Sequence, residues 1–133
     1  MGMDFPAGKA MDALSRESEK ERCFTVKMTD GKFSLSGMEN KIRAMAEQGE
    51  VPADVARYTF ETLASVLART TEWAKKIYGD LPVLCSGGVA SNTLLRRRLE
   101  PMGTIFAPAQ YSTDNALGVA ILAHRCLERG EQG

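Results

Sequence analysis

Histidine and paired cysteines are what this sequence most clearly lacks. It contains one histidine and three cysteines, and Cys23, Cys85 and Cys126 include no C-x-x-C pair. A structural zinc site needs about four closely spaced ligands and a zinc protease needs an H-E-x-x-H pair, so neither class fits. An odd number of cysteines also disfavours a disulfide framework. We therefore expect three reduced thiols in a cytoplasmic protein.

Net charge and long apolar runs are missing as well. Lys and Arg together number 17, as do Asp and Glu, so the formal net charge is zero. This balance argues against a strongly electrostatic nucleic-acid binder, although it is compatible with a single basic face. No run approaches the roughly 18 apolar residues of a membrane helix, so no membrane contact is expected. Residues 1–133, of which 44% are apolar, are predicted to form one domain with a core.

The most informative segment that is present is VLCSGGVASN. A short apolar run, Val83 to Cys85, ends at Ser86-Gly87-Gly88, and helical character begins near Ala90. Paired glycines between a strand and a helix expose backbone N–H groups at the positive end of the helix dipole, which suits a phosphate or another anion. An ordinary tight turn is the alternative explanation, because a lone Gly-Gly is weak evidence.

Apolar spacing and turn residues predict the secondary structure. The predicted helices are 9–21, 36–48, 53–78, 90–98 and 112–129, and the predicted strands are 23–28, 32–36, 83–86 and 103–107. Thr29-Asp30-Gly31 is expected to join the first two strands in a hairpin. The apolar stripe of the long helix, which includes Trp73 and Ile77, is expected to face the core.

This order of elements predicts an α/β fold with a mixed, mainly parallel sheet. The hairpin is expected at the edge of that sheet, with the strands at Val83 and Thr104 parallel to its second strand. In such folds, ligands collect at the carboxyl ends of the strands. The loops Ser36-Gly37, Ser86–Gly88 and Pro108–Asp114 all follow strand ends, so we expect them to line one cleft.

Four short motifs, taken in order, resemble one known family. They are Ala7-Gly8-Lys9-Ala10-Met11-Asp12, Phe33-Ser34-Leu35-Ser36-Gly37, Gly87-Gly88-Val89-Ala90-Ser91-Asn92 and Thr113-Asp114-Asn115. They are similar to the AGxAxD, FSFSG, GGV-x-x-N and TDN segments of the tRNA N6-adenosine threonylcarbamoyltransferases. This family was formerly labelled O-sialoglycoprotein endopeptidase or glycoprotease. The chain resembles the C-terminal lobe of these proteins over nearly its whole length.

The resemblance implies a fold of the actin, sugar kinase and Hsp70 type, related to ribonuclease H, with a nucleotide bound between two lobes. It implies that Asp12 contacts the ligand and that Asn92, beside Gly87 and Gly88, contacts the adenylate of threonylcarbamoyl-adenylate. Asp114 matches a metal ligand of the family. The implied cofactors are an adenine nucleotide or threonylcarbamoyl-adenylate, and iron or zinc only in a complete two-lobe protein.

The chain also departs from the family pattern. The family's metal site uses an H-x-x-x-H pair from the first lobe, whereas the single histidine here, His124, lies in the last predicted helix. The family's glycine-rich segment after the first helix is replaced by SRESEKER at 15–22. These departures suggest a divergent paralogue or a fragment, and no residue of this chain is assigned a catalytic role.

Each candidate residue has a structural explanation as well. Asp114 fits a helix start, and one carboxylate cannot hold a metal ion. Asn92 is equally suited to bonding local backbone. The run Arg96–Arg98 is interpreted as a solvated face before it is interpreted as an RNA contact. Cys85 is interpreted as a core thiol and His124 as an ordinary helical residue.

Two functions follow from the sequence. In the first, the chain is the nucleotide-side lobe of a protein that transfers threonylcarbamoyl to N6 of adenosine in tRNA. It is then inactive alone and meets tRNA only in a full complex. In the second, it is a non-enzymatic module derived from that lobe, which forms a homodimer or binds a first-lobe domain through exposed apolar surface. A peptidase is disfavoured because no H-E-x-x-H and no nucleophile–base pair is present.

Overall fold

The computed structural model of the protein describes residues 8–108 and 116–128. The α-helices in these ranges are α1 (Gly8–Ser15), α2 (Ser36–Glu47), α3 (Pro52–Tyr78), α4 (Thr93–Leu99) and α5 (Ala116–Glu128). The strands are β1 (Met28–Thr29), β2 (Lys32–Phe33), β3 (Val83–Cys85) and β4 (Thr104–Phe106), and single 3-10 turns span Gly88–Ser91 and Glu100–Met102. None of the helices in the described ranges has the length and apolar character needed to cross a membrane.

The long helix α3 is the centre of the fold, and its ends follow local sequence rules. Pro52 occupies the first turn, where its missing N–H costs no hydrogen bond, and Asp54 adds a negative charge at the same end. Lys75 lies in the last turn, and Gly79 ends the helix with a φ of +83°. The 27 residues of α3 extend for about 40 Å. The predicted helix 53–78 is therefore confirmed.

Three other helices pack around α3 and bury most of its circumference. The apolar cluster between α1, α3 and α4 consists of Phe60, Ala64, Leu94 and Leu95, with Met11, Leu63 and Leu67 packed against it. The cluster between α2 and α3 consists of Met45, Val55 and Tyr58, with Phe24 and Ile42 packed against it. Because α4 inserts two leucines into the first cluster, this packing holds the start of α4 beside α1.

The predicted strand 23–28 and the predicted end of the first helix at Glu21 are wrong. Helix α1 stops at Ser15, and residues 16–27 run along α3 without a strand partner until Met28. Side chains of α3 take the place of a neighbouring strand. The backbone N–H of Phe24 donates to Thr62 Oγ1 at 2.9 Å, and Arg69 Nη1 donates to the carbonyl of Val26 at 2.7 Å.

The predicted hairpin exists but is much shorter than expected. It pairs Met28 with Phe33 and Thr29 with Lys32 in antiparallel register. The turn between them has positive φ at Asp30 (50°) and Gly31 (73°), as a two-residue Asp-Gly turn requires. An added Cβ at Gly31 would lie 2.5 Å from ring carbons of Trp73, so glycine is needed here for space as well as for φ.

Strands β3 and β4 are parallel, as the sequence predicts, and pair Val83 with Thr104 and Cys85 with Phe106. The prediction of a single sheet is wrong for the described residues, because the hairpin forms one two-stranded sheet and β3–β4 forms another. The shortened β2 has no edge in common with β3 or β4. The prediction that is confirmed is a mixed helix and strand fold with a small parallel sheet.

The stripe of α3 is core only in part. Val55 and Val66 are buried, but Ile77 is 57% exposed and Tyr78 is 64% exposed. Trp73 is half-buried and packs its ring edge-to-face against Tyr78, with centroids 6.0 Å apart. Residues 53–71 of α3 are buried or half-buried, whereas residues 76–78 at its end are exposed, so helical spacing alone overestimated the core.

Candidate functional site

Helices α1 and α4 meet at Asp12 and Asn92, two residues that the family motifs single out. Oxygen Oδ1 of Asp12 accepts a hydrogen bond of 2.6 Å from Asn92 Nδ2, across 80 residues of sequence. The same oxygen accepts bonds of 2.9 Å from both the backbone N–H and the hydroxyl of Thr93. Arg16 lies 4.0 Å from the other carboxylate oxygen. The Asp12 carboxylate therefore binds the N-terminus of α4.

Asn92 is 4% exposed and is the N-cap of α4. Its Oδ1 accepts the N–H of Leu95 at 3.0 Å, and its backbone is extended, as an N-cap residue requires. Since its Nδ2 donates to Asp12, the nitrogen and the oxygen of the side-chain amide both form hydrogen bonds within the protein. The structural explanation of Asn92, a bond to local backbone, is thus present in the structure. Any contact of Asn92 with a ligand remains a prediction.

The glycine turn before α4 is open on its outer side. Gly87 has φ of +100°, a conformation that glycine adopts most readily. An added Cβ at Gly87 or Gly88 would meet no atom within 4 Å, so a ligand has room to approach the backbone there. The hydroxyl of Ser91 donates to the carbonyl of Gly88 at 2.6 Å and closes the 3-10 turn that leads to Asn92.

Two of the three expected strand-end loops begin at the same edge of a sheet, and of the loop 108–114 only Pro108 lies within the described residues. Since β3 and β4 are parallel and in register, Ser86 and Ala107 both follow their carboxyl ends. The third loop, Ser36-Gly37, follows a strand of the separate hairpin and opens α2. An added Cβ at Gly37 would lie 3.2 Å from the ring of Phe24. The strand-end argument therefore does not bring this loop into the cleft.

Arg96 joins the two loops at this edge, a role that the sequence analysis missed. Its Nε donates to the carbonyl of Ala90 at 3.1 Å, and its Nη2 donates to the carbonyl of Ala107 at 2.8 Å. The guanidinium also lies 4.8 Å from the centre of the Phe106 ring. The interpretation of Arg96 as part of a solvated face is wrong. Its contacts depend on tertiary structure, so no local sequence signal identifies them.

The described residues do not fit a metal ion. Within residues 8–108 and 116–128, no group of three His, Cys, Asp or Glu side chains is placed to hold one. His124 is exposed, with Nε2 3.4 Å from Glu128. Asp114, the metal ligand implied by the resemblance, lies outside the described residues together with Thr113 and Asn115. We therefore derive no chemical step through a metal.

Cys85 ends strand β3 but is poorly suited to act as a nucleophile. Burial raises the pKa of its thiol, so the thiol is protonated near neutral pH. It is half-buried rather than fully buried, because only one face of the β3–β4 pair is covered. A protonated, half-buried thiol is a weak nucleophile, which agrees with the interpretation of Cys85 as a structural residue.

Comparison with known proteins points to a single family. The model of the tRNA N6-adenosine threonylcarbamoyltransferase family matches residues 1–121. The protein of that name from Prosthecochloris aestuarii is 29% identical over 155 aligned positions, which cover 98% of this chain and 45% of that protein. The one from Bacillus licheniformis is 30% identical over 152 positions, which cover 100% of this chain and 44% of that protein. The chain spans slightly less than half the length of these relatives.

Proposed function

Because the chain belongs to the tRNA N6-adenosine threonylcarbamoyltransferase family, we propose that it acts in tRNA t6A modification as the adenylate-binding part of a larger transferase. One observation supports this proposal above all. Asp12 and Asn92, from two separate family motifs, are joined by a hydrogen bond of 2.6 Å directly after the open Gly87-Gly88 turn. Two of the four family motifs thus meet at one place, beside backbone that a ligand can reach.

The proposed chemistry assigns binding and orientation to this chain. Transfer of the threonylcarbamoyl group forms a bond between the carbonyl carbon and N6 of adenosine. It breaks the bond to the adenylate phosphate, which leaves as an anion with the electron pair, and N6 releases one proton to solvent. Backbone N–H groups around Gly87 and Gly88 would face that phosphate and stabilise its developing charge. Asp12 would act through Asn92 and Thr93, whose positions it fixes, and so hold the first turn of α4 against the glycine turn.

The actin, sugar kinase and Hsp70-like lobe belongs to the same proposal. It is supported by the parallel β3–β4 pair, by the position of the glycine turn at its carboxyl end and by family membership. The chain alone is proposed to be inactive in transfer, since relatives are about twice as long and the described residues supply no metal site. A metal bound by Asp114 would then need ligands from elsewhere in a complete protein.

Titration of the ¹⁵N-labelled chain with AMP, followed by NMR, tests the proposal. We expect the amides of Gly87, Gly88 and Asn92 to shift, with a Kd no tighter than about 0.1–1 mM, because much of the enclosing surface is missing. The Gly88→Val variant should lose these shifts, because its side chain fills the open space, whereas Gly8→Val, also open at its Cβ position, should keep them. Shifts confined to other regions at millimolar AMP would contradict the adenylate site.

A second function, a non-enzymatic interaction module, is favoured by a different observation. Leu84 and Ile105 are cross-strand partners on the outer face of β3–β4, and they are 68% and 55% exposed. Parallel sheets are normally covered on both faces, so this face suits a protein partner. Threonylcarbamoyl transfer to unmodified tRNA by the chain mixed with such a partner would favour the enzyme. Stable association without transfer would favour the module.

A further inference from the structure

Most arginines in the described part of the chain are already engaged. Arg16, Arg22, Arg43 and Arg57 lie within 4.0 Å of a carboxylate oxygen, and Arg69 and Arg96 donate to backbone carbonyls. Within residues 8–108, Arg97 and Arg98 are different, because neither forms an ion pair or a hydrogen bond with another described group. These two guanidinium groups are adjacent and exposed near the C-terminal end of α4.

Arg97 and Arg98 line the same cleft. The cleft has a volume of about 200 Å³ and lies between α3, α4 and the segment after α1; it is lined by Glu21, Arg57, Glu61, Leu94, Arg97 and Arg98. Consecutive helical residues point about 100° apart, and both side chains border this cleft. One ligand group in the cleft is therefore within the reach of both guanidinium groups.

Arg57 and Glu61 line the floor of the cleft, and their charges are paired. The Arg57 side chain is 11% exposed, and its guanidinium donates to Glu61 Oε1 at 2.8 Å and to the carbonyl of Ser18 at 3.1 Å. Glu21, which is 77% exposed, lies 3.8 Å from the same guanidinium. With Arg57 matched by Glu61, the remaining charges on the rim are two arginines and one glutamate. The rim is thus net positive, although the whole chain is neutral.

We propose that this cleft between α3 and α4 binds a backbone phosphate of RNA through Arg97 and Arg98. Guanidinium groups bind phosphate oxygens in a bidentate manner. Whole small-molecule ligands occupy pockets of about 300–1,000 Å³, so a smaller, open cleft fits one phosphate with its sugar. Arg97 lies five residues after Asn92, about 7.5 Å along the helix axis. The inference rests on the proposed function, which supplies RNA as the ligand.

Fluorescence anisotropy with a labelled, unmodified tRNA transcript tests the inference on the full chain. The cleft predicts weak binding by the chain alone at low salt, which departs from the expectation that tRNA is met only in a full complex. The Arg97→Glu/Arg98→Glu variant should bind at least about tenfold more weakly at low salt. The slope of log K against log salt should become shallower by about 1.4–1.8, which corresponds to two lost phosphate contacts. The Lys41→Glu/Arg43→Glu variant on α2 is the matched control, because it changes the net charge equally at two exposed positions. It should retain most of the affinity.

Two further variants separate binding from folding and from the adenylate site. Arg97→Gln/Arg98→Gln keeps polar side chains of similar length, so it should melt near the wild-type temperature. Its slope of log K against log salt should become shallower by the same amount as in the glutamate variant. Equal weakening in the α2 control, or a wild-type chain that does not bind the transcript at low salt, would overturn the inference. AMP-induced shifts at Gly87 and Gly88 should persist in both arginine variants, so failure of the adenylate site is recognised separately from failure of this cleft.

Discussion

Asn92 shows how one side chain serves both the fold and a candidate site. Its oxygen caps α4 through the N–H of Leu95, and its nitrogen binds Asp12 on α1. Local sequence predicts the cap, because an Asn before a helix start is a preferred N-cap residue. It does not predict the bond to Asp12, which depends on how two distant helices pack. The family motifs identified both residues without indicating that they touch.

The Asn92→Ala variant should lose about 2 kcal/mol of stability, since it removes a helix cap and a charge-assisted bond to a carboxylate. Urea unfolding measures the change. Asn92→Ser keeps an acceptor for the cap, but its shorter side chain does not place a donor where Nδ2 meets Asp12, so its stability should lie between those of the wild type and Asn92→Ala. Ser91→Ala, which removes only a bond to the Gly88 carbonyl, is the local control and should cost about 0.5 kcal/mol or less. Wild-type stability of Asn92→Ala would show that the amide is not structural.

Ionisation of the Cys85 thiol makes the free energy of unfolding depend on pH. Burial raises the pKa of its thiol above the ordinary value of 9.0. The folded state therefore keeps its proton at a pH where the unfolded state has released it, so stability falls as pH rises through about 9. Urea unfolding between about pH 8 and pH 10 should show a weaker decline for Cys85→Ala than for the wild type. Cys126→Ala, at an exposed position, should leave the decline unchanged.

At the scale of elements, the accuracy of the sequence predictions depends on whether the determinants are local. Helix α3 has its proline start, its glycine end and its apolar spacing within one segment, and it was predicted almost to the residue. The Asp30-Gly31 turn is equally local. Residues 23–28 have strand composition, but their backbone groups bond to side chains of α3, from residues 38 to 43 positions away. No local pattern distinguishes that arrangement from a strand.

The hydrogen bond that joins residues 23–28 to α3 can be tested by substitution of Thr62. The Thr62 side chain is fully buried, and its hydroxyl accepts the N–H of Phe24 at 2.9 Å and donates to the carbonyl of Tyr58 at 2.7 Å. Thr62→Val preserves the shape and leaves the Phe24 N–H without its partner, so it should cost about 1–3 kcal/mol. Hydrogen exchange of the Phe24 amide should accelerate more than that of other amides.

Thr59 provides the matched control on the same helix. Its hydroxyl donates only to the carbonyl of Val55, one turn earlier, at 2.8 Å. The carbonyl keeps its helical partner when the hydroxyl is removed, so Thr59→Val should change stability by about 0.5 kcal/mol or less. If the two valine variants are equally stable, the bond from Phe24 does not hold the segment against α3.

At the scale of the whole molecule, the candidate site was predicted only as a set of motifs. Paired glycines between a strand and a helix identify an anion-binding turn, because that chemistry depends on adjacent residues. The expected cleft of three loops depended on a single sheet, and the separate hairpin removes Ser36-Gly37 from it. Arg96, which connects the loops after β3 and β4, could be found only from the structure. The sequence therefore predicted the glycine turn as a candidate anion site, which stays a prediction, and it missed Arg96, which connects the loops beside that turn.

The uncovered face of β3–β4 leads to a prediction about assembly. Leu84 and Ile105 lie side by side on that face and are mostly exposed. Burying 400 Å² on each of two partners would give about 20 kcal/mol of gross hydrophobic free energy at 25 cal/mol per Å². Association costs about 4–15 kcal/mol or more, so a moderate surplus remains. We expect the chain to form homodimers through this face at tens of micromolar when no other partner is present.

Sedimentation velocity of charge variants tests this assembly. Leu84→Lys/Ile105→Lys should shift the protein towards a monomer of 14.5 kDa, because the dimer would have to bury two lysine charges in each subunit. Val51→Lys, at a position that is 59% exposed at the start of α3, should leave the dimer intact. Both positions of the sheet variant are exposed in the single chain, so its melting temperature should equal that of the wild type at a dilution where both proteins are monomers. A wild-type chain that sediments as a monomer at these concentrations would show that the face is not a self-association surface.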